Sequence, residues 1–290
     1  MEKLKWIWLI IIAAAVSASV YYHLLVLGRL EQTSALFIGI PALIAAICVL
    51  TRKPNSAVGT AIKAVTLFLC IAALLLGEGF VCILMAAPIF YMVAIVIGCA
   101  IDHTRKRGHI YSCMLLVFVL PLTIEGTTPA LSFARQEQVV EERIIAASPQ
   151  QVEAALFAPP RLGSKLPVYL RLGFPRPVGA TLSGARPGDK YVIHFAGGEG
   201  KPGDLTLEIK EYRPGLLSLN AVSDTSHVAH WLRWEESRVE WEPIDASHTR
   251  VRWTLRYARL LDPAWYFKPW ERYAVRLTAQ QLIADAATPQ

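Results

Sequence analysis

The chain has no cysteine after Cys113. All five (Cys48, Cys70, Cys82, Cys99 and Cys113) sit in its apolar first half, without a CxxC or Cys/His spacing. That distribution argues against a disulfide framework or a structural zinc site and leaves the cysteines as small apolar side chains. Charge is scarce in the same half, where residues 1–134 hold nine Lys/Arg and five Asp/Glu. The remainder, with twenty against eighteen, is nearly neutral. The isoelectric point of 9.1 therefore reflects basic residues flanking apolar runs and carries no nucleic-acid signal. The glycine-rich stretch 197–203 lacks the GK[ST] ending and following helix of a phosphate loop. No Ser/His/Asp or Cys/His arrangement is legible.

What the first half does have is long hydrophobic runs, which lift the mean hydropathy of the whole chain to +0.38. Five spans are expected, at residues 6–27, 34–50, 61–76, 80–101 and 110–124. The first follows a basic start but is about as long as a full span, with Trp6 and Trp8 at one interface and Tyr21 and Tyr22 towards the other. The fifth is short, because its length at about 1.5 Å per residue falls below a hydrocarbon core of about 30 Å. Lys3 and Lys5, Arg52 and Lys53, and Arg105 to Arg107 alternate as the positive-inside rule requires. Five spans put the N-terminus in the cytoplasm and the C-terminal domain outside, as in a bacterial inner-membrane protein; four would make that domain cytoplasmic. Pro88 and Pro121 are expected to kink their helices. Glu78 and Glu125 emerge on the side of the C-terminal domain, either as membrane-boundary residues or as interdomain partners for its basic side chains.

A short linker, 127–137, leads to a domain at 138–287. Its first strand is expected at 138–147, with Val140 and Ile144 on one face and Val139, Arg143 and Ile145 on the other. Ser148 then caps a helix with Pro149 at its first position, and a second short helix covers 166–172. Strands are expected at 178–182, 190–196, 204–212, 216–223, 228–234, 237–243 and 249–260, separated by turns such as Arg213-Pro214-Gly215. The last two form a hairpin in which Glu242 faces Arg250, Trp241 faces Val251, Glu240 faces Arg252 and Val239 faces Trp253. Acidic partners thus meet the arginine stripe, with a lipid-headgroup site as the functional alternative. On the other stripe Val251, Trp253, Leu255 and Tyr257 alternate with polar residues. From Pro269 the period becomes helical, with Trp270, Ala274, Leu277 and Thr278 on one side and Arg272, Arg276 and Gln280 on the other.

Strand, two short helices, a meander of strands and a long C-terminal helix resemble the helix-grip fold of the SRPBCC superfamily, also called START-like or Bet v 1-like. The branch most similar is that of polyketide cyclases/dehydrases and lipid-transport proteins. The residues that carry the resemblance are the run 139–152 (VVEERIIAASPQQV) and the block 248–283, including Tyr257 and the segment Asp262 to Phe267. The resemblance covers about residues 136–287 and leaves the apolar half outside it. It implies a curved antiparallel sheet gripping the C-terminal helix around a cavity for lipids, sterols, polyketides or similar molecules. The fold class expected is therefore a helical transmembrane bundle followed by an α+β helix-grip domain.

Periodicity points Trp241, Val251, Trp253, Leu255, Tyr257, Trp270, Ala274 and Leu277 inward, where they either line a cavity or fill a core. Catalysis would need His194, His227, His230, Arg233, Glu235 and Tyr257 to converge, and no catalytic set is assigned. The expected function is binding of a hydrophobic molecule or lipid beside a membrane, with a cyclase/dehydratase-like enzyme or a regulatory protein with a filled pocket as alternatives. The expected partners are membrane lipids and a hydrophobic ligand, without cofactor, metal or nucleic acid.

Overall fold

The structure, a computed structural model, describes residues 7, 10, 39–51, 53–75, 80–107, 124–158, 166–171, 174–196 and 202–287. The expected first and fifth spans lie essentially outside the described residues, as do Glu78, Pro121 and most of the glycine-rich stretch. The chain divides into two compact units, Met1–Ile124 and Glu125–Gln290.

In the first unit three helices are described: α1 (Ile40–Leu50), α2 (Ala57–Leu75) and α3 (Phe80–Arg107). Asp102 on α3 accepts hydrogen bonds from the backbone N–H groups of Ala57 (2.8 Å) and Val58 (3.2 Å), which satisfies donors that the first turn of α2 would leave orphaned. Gly98 lets α3 approach closely, since a Cβ there would stand 2.5 Å from the Val58 Cα. Among the described residues one helix is long and apolar enough to cross a membrane, Ile83–Thr104, with mean hydropathy 2.4. The expected second and third spans fall on α1 and α2, whose apolar parts, Pro41–Leu50 and Ala57–Ala72, are shorter.

The second unit is an antiparallel seven-stranded sheet with a long C-terminal helix, a helix-grip arrangement. Its elements are β1 (Gln136–Ile145), α4 (Pro149–Phe157), α5 (Val168–Arg171), β2 (Arg176–Leu182), β3 (Lys190–Ala196), β4 (Gly203–Arg213), β5 (Leu216–Asp224), β6 (Leu232–Pro243), β7 (Thr249–Arg259) and α6 (Ala264–Ala286). The strand order is β1-β7-β6-β5-β4-β3-β2, so the first strand pairs with the last and the others follow as a meander. Gly215 adopts φ 86° in the β4–β5 turn, a conformation open to glycine without a Cβ penalty.

Local chemistry accounts for the element boundaries. The Ser148 side chain accepts from the Gln151 N–H while the Gln151 side chain accepts from the Ser148 N–H, a reciprocal cap that starts α4. The β6–β7 register places Glu242 opposite Arg250, Trp241 opposite Val251, Glu240 opposite Arg252 and Val239 opposite Trp253, as the alternation predicts.

Several expectations need correction. The strands expected at 228–234 and 237–243 are one strand, because a bulge between Trp234 and Glu236 absorbs the break in alternation; residues 227–230 form a 3-10 turn instead. The two faces of β1 divide as expected, with Val139 and Ile145 on the buried one and Val140 and Ile144 exposed. The terminal helix starts at Ala264, five residues before Pro269, which it accommodates internally. Its buried stripe is Val275, Ala279, Ile283 and Ala287 at four-residue spacing, with Ala274 beside it. Trp270 falls off that stripe and is 41% exposed, its ring stacked against Tyr169 of α5 at 6.5 Å.

The polar side of α6 rests on two acids of β1. Lys268 meets Glu137 at 2.6 Å, and Arg276 (2.6 Å) and Gln280 (3.0 Å) both reach Glu141. The arginine stripe of β7 is neutralised on the opposite face. Arg250 pairs with Glu242 (2.8 Å) and Glu142 (3.2 Å), and Arg252 pairs with Glu142 (2.9 Å). Glu240, the expected partner of Arg252, instead takes Arg238 at 2.6 Å.

Candidate functional site

Between the sheet and α6 lies a cavity of about 490 Å³, within the range of about 300–1,000 Å³ that small-molecule sites occupy. Its existence follows from geometry. The curved sheet turns the inward residues of β2 to β7 towards a helix whose facing residues are mostly modest in size: Ala274, Val275, Thr278 and Leu282. The wall is largely aliphatic and aromatic, with Leu205, Leu207 and Ile209 from β4, Leu217 and Leu219 from β5, and Tyr191, Ile193 and Phe195 from β3. Leu156 and Phe157 of α4 and Leu170 of α5 contribute from the helical side.

Of the residues expected to face inward, Trp253, Leu255 and Ala274 are on the wall. Trp241, Val251 and Tyr257 are buried in the adjoining core but do not line the cavity. Leu277 is half-buried and, like Trp270, stays off the wall. The β2 to β5 wall residues were not singled out from the sequence. Their alternation was visible, but which strands curve around the helix is a property of the closed sheet.

Polar groups on the wall are few and mostly engaged. The Trp253 indole N–H donates to Ser237 Oγ at 3.0 Å. Glu236 accepts from Ser218 Oγ at 2.8 Å and pairs with Arg256 at 3.2 Å. The Tyr191 phenol is pushed up to about 12 by burial and stays protonated at neutral pH. Gln281 Nε2 donates to Asp285 at 2.7 Å near the C-terminal end of α6. Arg171 and Arg176 also belong to the wall.

The histidines do not converge on the cavity. His194 points away from Tyr191, Ile193 and Phe195 and meets Asp204 at 2.8 Å. His227 packs edge-on against Trp231 at 5.2 Å and beside His230 at 5.1 Å. None of the three is on the wall. No group of three His, Cys, Asp or Glu suited to a metal ion occurs among the described residues.

A second polar cluster lies where β7 passes into α6. Arg259 is fully buried and pairs with Asp262 at 2.6 Å and, more loosely, with Glu125 at 3.7 Å; it also donates to the Leu261 carbonyl. Glu125, expected to meet basic residues of the C-terminal domain, accepts the Ala264 N–H at 2.8 Å. Its carboxylate thereby holds the first turn of α6. Glu271, 6% exposed, lies in the same cluster without an ion pair among the described residues. Burial raises its carboxyl to about 7, with Glu137 and Asp262 adding to the rise and Arg259 and the Leu261 backbone opposing it.

No family model matches the chain and no curated protein matches it. Solved structures do. A START superfamily protein from Mycobacterium smegmatis is similar at 13% identity over 51% of this chain and 94% of that one, with a TM-score of 0.35. The major latex-like protein 151 of Panax ginseng is similar at 13% identity over 52% of this chain and 97% of that one, with a TM-score of 0.32. The Zhui aromatase/cyclase from Streptomyces sp. R1128 is similar at 13% identity over 51% of this chain and 96% of that one, also with a TM-score of 0.32.

Proposed function

We propose that the C-terminal unit binds a hydrophobic small molecule or lipid between its sheet and α6, and that the apolar first half holds this unit at a membrane. The observation that carries the binding reading is the apolar cavity of about 490 Å³. An empty apolar space of this size forfeits dispersion contacts on every side, a cost that a guest molecule offsets. A cyclase or dehydratase would need polar groups gathered on the guest, and the histidines that could serve stand off the wall. Binding is therefore favoured over catalysis.

Trp234 and Trp253 on the wall make the test direct. The purified, lipid-extracted full chain is titrated with a neutral polyene, the methyl ester of parinaric acid, and energy transfer from tryptophan is followed. Saturable one-to-one binding is expected. Ala274→Phe, which projects a ring from α6 into the cavity, should weaken it roughly tenfold or more while leaving the thermal transition cooperative. No saturable transfer, or equal binding by a folded Ala274→Phe chain, would overturn the reading.

A further inference from the structure

The cavity has one electropositive end. Arg176 opens β2 and pairs across the ladder with Ala196, the last residue of β3. The register carries this end through the start of β4, the end of β5 and the start of β6 to the end of β7, where α6 begins. Arg171, the last residue of α5, belongs to the same end, because its neighbour Tyr169 packs on Trp270 and Tyr273 in the first half of α6. Both arginines are part of the cavity wall, whereas Gln281 and Asp285 line it from the last turns of α6, at the opposite end.

Neither arginine has an ion pair among the described residues, although most arginines of this unit do. Among the described residues Arg176 Nε is buried without a hydrogen-bond partner. Glu236, the other acid of the wall, is already held by Ser218 and Arg256. Asp224, at the arginine end of the sheet, is off the wall and accepts the Ser226 N–H at 2.8 Å. A half-buried guanidinium with one buried, unused donor beside an apolar chamber is costly unless a ligand supplies the acceptor. Its planar fork matches the two oxygens of a carboxylate or phosphate.

We propose that the ligand is an amphipathic anion whose carboxylate or phosphate head meets Arg176 and Arg171 while its apolar chain runs along the cavity towards Leu156 and Tyr191. This rests on the binding reading above and adds the chemistry of the head. The test compares parinaric acid with its methyl ester, which share a tail and differ in charge, on the full chain at a pH well above that of carboxyl ionisation. The acid should bind roughly tenfold or more tightly than the ester. Arg176→Gln should remove that preference and leave ester binding intact. Arg186→Gln, which deletes an exposed arginine off the wall, should leave the preference unchanged and so controls for net charge. Competition by a lysophosphatidic acid but not by inorganic phosphate would identify the head as part of a lipid. Equal binding of acid and ester by the native chain, or an undiminished preference in Arg176→Gln, overturns the anionic head and leaves the cavity reading standing. Binding of neither ligand overturns both.

Discussion

Glu271→Gln should change how the stability of the C-terminal unit depends on pH. In the folded chain the Glu271 carboxyl is raised to about 7 from an ordinary value of 4.5. Burial is the main cause, and the charged groups around it are Arg259 on β7, Glu137 on β1 and Asp262 ahead of α6. Between those two pH values the folded state holds a proton that the unfolded state has released. The contribution of Glu271 to stability must therefore fall as pH rises from about 4.5 to about 7 and level off above. At about 1.36 kcal/mol per pH unit, the full loss is about 3 kcal/mol. Glutamine keeps the shape and has no proton to lose. Any cost of burying its amide without partners is the same at every pH. Denaturant unfolding of the native and variant chains at a series of pH values, followed by tryptophan fluorescence, reads the difference. Apart from Trp6 and Trp8, every tryptophan lies in this unit. The variant should gain about 3 kcal/mol on the native chain between the acid and neutral ends of the series. Parallel curves for the two chains would refute the reasoning.

Two further outcomes are expected from single contacts. Arg259→Met should destabilise the unit by about 3 kcal/mol, because it removes one of the two cations on Asp262, which keeps Arg135 at 2.6 Å, and leaves the buried Glu125 without its ion-pair partner; a loss of unfolding free energy below about 1 kcal/mol (about a fivefold change in equilibrium) would contradict this. Ser237→Ala should cost about 1–3 kcal/mol by stranding the buried Trp253 indole N–H, measurable as a lower unfolding temperature. An unchanged temperature would show that the indole finds another acceptor.

The sequence by itself determined those features whose cause is local or periodic. The Ser148-Pro149 start of α4 was legible because a cap is made by residues a turn apart. The β6–β7 register was legible because opposite charges and a short turn admit one pairing with Trp253 and Val251 inward. The order of elements, together with the apolar stripe of β7, made the helix grip legible. Tertiary structure decided what depends on curvature and on distant neighbours. The rotation of α6 follows from packing Val275, Ala279 and Ile283 into the core of the sheet, and it brings Lys268, Arg276 and Gln280 onto Glu137 and Glu141 of β1, more than 120 residues away in the chain. That rotation puts Ala274 and Thr278 on the cavity wall and leaves Trp270 outside. The positive end of the cavity was equally hidden. Arg171 and Arg176 stand in unremarkable loop-flanking positions, and only the closed sheet brings them to one chamber. Periodicity states which side of an element is apolar; what that side encloses is settled by how the sheet bends around the helix.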